Sequence, residues 1–467
     1  MKQMILLSAL CVGLLGGCAD VSVSEYKRPE APAKSSWSRP PGATVSAAET
    51  ISPTWWTEFR DPYLDTLVTR AIAGNFDLKI LVARIDVANA QIAEVRAGAL
   101  PTVDIGAGSN LQKITNVNQK FTKQTNVGTQ VIWDIDIWGA VNKGVQAQTA
   151  EFRASEADWR AGYLQLVSSV STTYFQILQF DEQIDQQQRA LAKNKQILSI
   201  YETMRSNGLV PNTQVLRQRA EINRMTKDLL ELRRSRDVTE NALATLIGVP
   251  AGDFKLPAGR LQDRVRAPVV PGGLPLDLLA RRPDVVAAEF RVLEAHNLMG
   301  QARLNQLPSV SLTAQAGTAA FQLGDLFKTF TLGLMPSINI PAFNPGIKAR
   351  VKTSETQIKV VEEDYRRTVI AAFEEVENAL VNLEAHRQQK EELQMQVDQL
   401  KVVSSQTEAQ LAAGVISQLE VFENERTLLA AQLDLLASHQ QVLSDTVTLY
   451  KALGGGWAPV EVANARN

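Results

Sequence analysis

The segment ALPTVDIGAG at Ala99–Gly108 returns in altered form as QLPSVSLTAQ at Gln306–Gln315, with Pro101 and Pro308 standing 207 residues apart. Both segments alternate. Val103, Ile105, Ala107 and Leu111 are interleaved with Thr102, Asp104, Gly106, Gly108 and Asn110; Val310, Leu312, Ala314 and Ala316 are interleaved with Ser309, Ser311, Thr313 and Gln315. Strict alternation over this length predicts a strand with one apolar and one polar face. A second alternating segment follows each: Val131, Trp133, Ile135 and Ile137 around Asp134 and Asp136, then Leu332, Leu334, Ile338 and Ile340 around Gly333, Ser337 and Asn339. The echo continues downstream. Asp158–Arg160 (DWR) answers Asp364–Arg366 (DYR), Gly208 answers Gly414 and Gly248 answers Gly454, each 206 residues on. Anchors that hold one offset mark a duplication, and internal repeats decide architecture before anything else. The unit is far longer than a solenoid module, so the chain reads as two half-subunits of one body.

Between the anchors lie proline-free runs. No proline occurs between Pro101 and Pro211, nor between Pro345 and Pro459. Val141–Ser206 and Ile347–Ala413 space apolar residues by three and four, as in Leu164, Val167, Val170, Tyr174 and Ile177, or Val369, Phe373, Val376, Leu380 and Leu383. Each predicts a helix of about 100 Å, against an average of ~11–12 residues for globular helices. Gly208 and Gly414 are natural stops, and a return helix to Gly248 or Gly454 makes each copy an antiparallel helical hairpin. The expected plan is a leader at 1–17 and an extended segment at 18–60, rich in Pro, Ser and Ala. A first repeat covers 61–248 (strands about 102–138, long helix 141–206, tip 207–213), and 249–283 is a proline-rich connector. The second repeat covers 284–454 (strands about 309–340, long helix 347–413, tip 414–418), and 455–467 is a tail.

Composition narrows the class. A net charge of −2 and a pI of about 6.1 argue against nucleic acid as a partner. With mean hydropathy −0.10, and no uninterrupted apolar stretch of ~18 residues outside the N-terminus, helical membrane spans are not expected. Both cysteines fall in the first 18 residues, which excludes a disulfide framework and cysteine–histidine metal sites. The N-terminus is an address: Lys2 precedes the apolar MILLSALCVGLLGG, and Leu14–Cys18 (LLGGC) sets small residues before a cysteine. LLGGC resembles a bacterial lipobox, implying cleavage before Cys18 and acylation of its thiol; the alternative is an ordinary signal peptide. Ala19 after Cys18 favours outer-membrane sorting, with Asp20 one place later. Several acyl chains on one cysteine anchor stably.

The strands extend this reading. Apolar side chains on one face and small or acidic ones on the other are the pattern of an outer-membrane barrel. Four strands per chain cannot close one, and open edges are forbidden in lipid. Several chains must therefore share a barrel.

The lipobox, YKRP at Tyr26–Pro29, WWTEFRDPYLDTLV at Trp55–Val68, LPTVDIGAG, WDIDIWG at Trp133–Gly139 and the doubled unit together resemble the outer membrane factor family. These are TolC-like, NodT-type outer-membrane lipoprotein channels of RND tripartite efflux systems. The resemblance spans nearly the whole chain. It implies an α+β membrane protein in which a homotrimer forms a 12-stranded outer-membrane β-barrel, continuous with a 12-helix periplasmic α-barrel. It implies an equatorial belt from 61–76, 249–283 and 455–467. It also implies a periplasmic adaptor and an inner-membrane RND pump as partners, and no cofactor.

Function is then expected at the hairpin tips. The last helix begins GVISQLEVFENE at Gly414–Glu425, where the family places acidic side chains at the periplasmic entrance; Glu420 and Glu423 match, one turn apart. Three copies would gather six carboxylates in a narrow mouth that attracts cations. On spacing alone a solvated helix face is the alternative. Leu419 stands where some relatives place a leucine constriction, and Thr213 and Gln214 flank the first tip. Gly208, Leu209, Val210, Gly414, Val415 and Ile416 form the ends expected to meet the adaptor. Leu411 and Ile416 stand where TolC-like members carry an ionic lock, so apolar packing is expected to hold the closed state. His296, His386 and His439 lie in helical runs with no second histidine at ligand spacing, and no phosphate-cradling loop occurs, so an enzyme is not expected. The competing readings are the outer channel of a type I protein secretion system and a non-transporting, lipid-anchored scaffold.

Overall fold

The glycines and prolines that mark the repeat sit at the ends of its elements in the computed structural model, which describes residues 25–32, 34, 36–38, 51–112, 122–270, 281–341 and 343–457. The leader expected at 1–17, Cys18 and residues 458–467 lie outside these. In the first copy a 3-10 turn at Trp55–Phe59 leads to α1 (Pro62–Gly74) and α2 (Phe76–Ala97). Strands β1 (Thr102–Gln112) and β2 (Thr122–Ile135) follow, then α3 (Ala140–Ser206) and α4 (Asn212–Leu246). After a short α5 (Leu261–Arg264) the second copy gives α6 (Pro283–Leu304), β3 (Ser309–Ala320), β4 (Thr331–Asn339), α7 (Pro345–Ala412) and α8 (Gln418–Ala452).

Two boundaries differ from the sequence reading for physical reasons. Helix α7 starts at Pro345, because a first-turn proline needs no amide donor and the Asn344 side chain accepts from the Ile347 amide at 3.2 Å. Strand β2 starts at Thr122, well before the alternating stretch from Val131. Its early part, TKQTNVGTQ, has little apolar signal and is held by its ladder with β1, from Gln112↔Thr122 to Thr102↔Ile132.

Four helix ends explain four of the repeat anchors. Gly208, Gly248, Gly414 and Gly454 have φ of +74°, +75°, +72° and +87°. Each closes a Schellman cap, with the glycine amide bonded three residues back and the next amide five back. Leu209 N donates to Met204 O at 2.9 Å and Val415 N to Gln410 O at 3.0 Å. A left-handed residue is needed at that point, and glycine takes it without a Cβ penalty.

The sheet is antiparallel throughout, in the order β1-β2-β3-β4, so β1 and β4 are its edges. Register aligns the faces across all four strands. Val103, Val131, Ala314 and Leu334 line up on one side; Asp104, Gln130, Gln315 and Gly333 line up on the other. Below it, α3 packs against α2 and α6 in its upper part and against α4 and α8 lower down, while α7 packs against α6 and α8. Both long helices thus run the full length of the molecule and exchange partners part-way.

The main core sits at that exchange. Trp55, Phe59, Leu64, Tyr174, Phe175, Leu178, Leu243 and Tyr450 are buried there with their neighbours. Trp55 stacks on Tyr450 at 5.0 Å, and Tyr450 donates to Glu58 at 2.6 Å. Tyr174 donates to Asp61 at 2.6 Å while Asp61 caps α1. Residues of the WWTEFRDPYLDTLV stretch therefore tie the start of the chain to α3 and to the last helix. The described residues of 25–38 form no helix or strand and lie along α6 and α7. There Arg28 pairs with Glu289 at 2.7 Å and Arg366 donates to the Glu30 carbonyl at 3.0 Å.

Candidate channel elements

The apolar face of the sheet is bare. Ile105 is 83% exposed, Leu332 79% and Ile338 68%. Exposed aromatics stand at both ends of this surface, Phe321, Phe327 and Phe330 at one and Trp133, Trp138 and Phe343 at the other. Trp133 donates to the Ala99 carbonyl at 2.9 Å and Trp138 to the Pro308 carbonyl at 2.7 Å, so each indole is held by its polar edge. Aromatic girdles around an apolar band are what a bilayer selects, and strands of 9 to 14 residues have the length to cross it. The opposite face carries Asp104, Asp134, Ser311, Ser337 and the row Gly106, Gly128, Gly317. Among the described residues no helix is long and apolar enough to cross a membrane.

At the far end the two tips are built alike. Leu209 (69% exposed) and Val415 (72%) follow the capping glycines as apolar knobs, with Val210 and Ile416 half-buried behind them. Thr213, Gln214, Leu419, Glu420 and Glu423 are all exposed, whereas Val215 and Val421 turn inward and are buried. Glu420 lies in the first turn of α8, where a negative charge also favours the helix dipole. Glu423 is not a bare charge: Arg426, one turn on, pairs with it at 2.7 Å.

What joins the hairpins within one chain lies higher, and sequence reading missed it. Lys193 of α3 reaches Glu408 of α7 at 2.8 Å and Glu425 of α8 at 2.5 Å. Burial works against its charge, but the hydrogen bonds it donates to both carboxylates prevail and raise its pKa. Nearer the tip, Tyr201 of α3 meets Phe422 of α8 edge to face at 6.0 Å. Within one chain the two hairpins thus share a charged triad as well as an aromatic contact. Leu411 and Ile416 are only half-buried. The histidines are absorbed by packing. His386 pairs with Asp445 at 2.5 Å, burial and nearby Lys390 push His439 down to about 4, and His296 meets Tyr26 edge to face.

A sheet with one lipid-suited face, standing on filament-length helices whose tips lie far from it, defines a channel-forming outer-membrane protein of the TolC-like class. The particular family is shown by comparison: its model, described as outer membrane efflux protein, matches twice, at residues 67–249 and 274–455, and the chain belongs to that family. It is 32% identical over 485 residues to the "Probable efflux pump outer membrane protein TtgC" of Pseudomonas putida, covering 98% of this chain and 96% of that one. It is 28% identical to the "Probable outer membrane lipoprotein SilC" of Salmonella typhimurium over 98% and 100% of the two chains. The solved open state of the Neisseria gonorrhoeae MtrE outer membrane channel matches with a TM-score of 0.83 at 27% identity, over 93% of this chain and 98% of that one. The protein is an outer-membrane channel component of an efflux system, and its family is one of ducts rather than enzymes.

Proposed function

We propose that three copies close one 12-stranded barrel over a 12-helix periplasmic tunnel, forming a passive exit duct for small toxic solutes. The carrying observation is the sheet: four strands, one apolar face, one polar face and two unpaired edges. Edges of this kind are tolerable in lipid only when another chain covers them, and a lipid-facing band has no use in a scaffold. In this reading 61–76, 249–283 and 455–467 form the belt, and a periplasmic adaptor and an inner-membrane RND pump feed the tunnel. Leu209, Val210, Val415 and Ile416, between the capping Gly208 and Gly414, are the ends that meet the adaptor. Leu419, Glu420 and Glu423, with Thr213 and Gln214 across from them, line the entrance. Mass measurement of the detergent-extracted complex should give a trimer, and planar bilayers should show discrete conducting units; a stable, non-conducting monomer overturns the reading.

We also propose that Cys18 is acylated and anchors the chain to the outer membrane, on the strength of its lipobox. Cys18→Ser should abolish acyl labelling and leave the precursor uncleaved by the lipoprotein peptidase. Unchanged labelling and processing would refute the anchor and leave the duct intact, because the strands alone satisfy the bilayer.

A further inference from the structure

The repeat predicts how one copy meets the next, residue by residue. An offset of 207 carries α2 onto α6, and one of 206 carries α3 onto α7. On the faces turned to their own long helices the short helices agree: Leu78 and Val285 are both buried, as are Ala88 and Ala295. On their other faces they differ. Val286, Ala287 and Phe290 of α6 are buried against Ala154 and Ala157 of α3. Their counterparts on α2, Lys79, Ile80 and Ala83, are exposed. The long helices show the converse. Ala147, Ala150, Ala154 and Ala157 of α3 are buried, while Thr353, Thr356, Val360 and Glu363 of α7 are exposed. A surface covered in the middle of the chain is therefore uncovered at its two flanks, half on α2 and half on α7. Because α3 and α6 stand between them, these halves cannot meet within one chain.

We propose that α7 of one copy packs on α2 of the next in the register of the α3–α6 joint, with Arg84 ion-paired to Asp364 of the partner subunit. This rests on the trimeric reading and specifies its seam. Within the chain Arg291 binds Asp158 and approaches Glu151 at 3.7 Å. The offsets turn Arg291 into Arg84 and Asp158 into Asp364, conserving both charges, while Glu151 becomes Gln357. Arg84 is exposed, and among the described residues the Asp364 carboxylate is ion-paired only with Arg367 of its own helix. Ile80, 51% exposed, then covers Val360, 57% exposed, as Ala287 covers Ala154. The same operation on the β2–β3 ladder, where Val131 faces Ala314 and Val127 faces Thr318, sets Ile338 of β4 opposite Ala107 of the partner subunit and Leu334 opposite the partner's Leu111. Edges and helix flanks close together in one register.

The test uses the full-length protein in its native assembly. Ile80→Cys with Val360→Cys, treated with a short bismaleimide, should give cross-linked dimers and trimers on a reducing gel, and neither single-cysteine variant should. Arg84→Glu should lower the temperature at which the assembly dissociates in detergent, and adding Asp364→Arg should restore it. A trimer by native mass that yields no cross-link overturns the register while leaving the trimeric duct standing. Cross-linking without rescue by the double reversal overturns the ion pair. A parent protein that is monomeric by mass removes both the seam and the trimeric reading.

Discussion

Glu294 is a strongly perturbed carboxyl. Burial between α3 and α6, reinforced by the charge and hydrogen bond of Glu151, pushes it up to about 7, and Arg291 offsets only part of this. The folded chain therefore keeps a proton that the unfolded chain releases above a pH of about 4.5. Its contribution to stability is complete below that value and is lost as pH rises through about 7. The melting temperature should thus fall across this window, and Glu294→Gln, which keeps the hydrogen bond without the charge, should flatten the fall. An unchanged slope in scans from pH 5 to 8 would show that Glu294 is solvated. This pair was not legible in the sequence, because its two halves belong to different copies and meet only through the fold. Lys193 is a like case, with partners 215 and 232 residues away. The capping glycines are the opposite case, since the left-handed turn they supply leaves the same letter at the same offset each time.

At the scale of elements, the alternating strands, the two long helices and their tips could all be read from period and punctuation. The early half of β2 could not, because its polar stretch is ordered by pairing rather than by burial. Exposed apolar positions on α2, such as Phe76, Ile80 and Val87, blur its helical face, since one chain buries only part of it. Within the sheet, position matters more than residue type. A Cβ on Gly317 would lie 2.8 Å from the Val127 carbonyl, whereas one on Gly106 would meet nothing within 4 Å. Gly317→Val should cost about 1–3 kcal/mol through overpacking and reduce the yield of heat-resistant assembly, and Gly106→Val should be tolerated. Equal yields on unheated gels would show that the β2–β3 pair can open to admit the side chain.

For the whole molecule, three-fold symmetry would bring Glu420 and Glu423 from each copy around one axis. Gathered like charges raise local cation concentration, and salt screens them, with a Debye length of about 10 Å at 0.1 M. Cation selectivity should therefore weaken as salt rises. Glu420→Gln with Glu423→Gln should lower it without lowering assembly yield. Arg426 adds a finer expectation: it partners Glu423, so Arg426→Gln should strengthen cation preference. Reversal potentials in a salt gradient read all of these, with Asp134 and Asp136 as the distant control pair. A shift from the control pair alone would move the selectivity site to the barrel. The tie made by Lys193 is not repeated at the seam between copies, where the three corresponding residues are Gln399, Glu202 and Arg219, the last two already paired within one chain at 2.7 Å; likewise Tyr201 and Phe422 become Thr407 and Leu216. The lower joints would then alternate around the ring between tied and untied.

The long separation of the central strand pair predicts an order of folding. Helical hairpins and the β1–β2 and β3–β4 ribbons close over short separations, but β2 meets β3 with Val131 and Ala314 183 residues apart. Distant pairing is slow, because loop entropy is lost before contacts compensate it. The joint between α3 and α6 lies directly beneath those strands in the chain and shortens the effective loop once formed. Helices should thus gain hydrogen-exchange protection first, and the two ribbons should stay separate until the joint aligns them. The polypeptide can then cross the periplasm with its lipid-seeking surface still divided, and unite that surface only when assembly is under way.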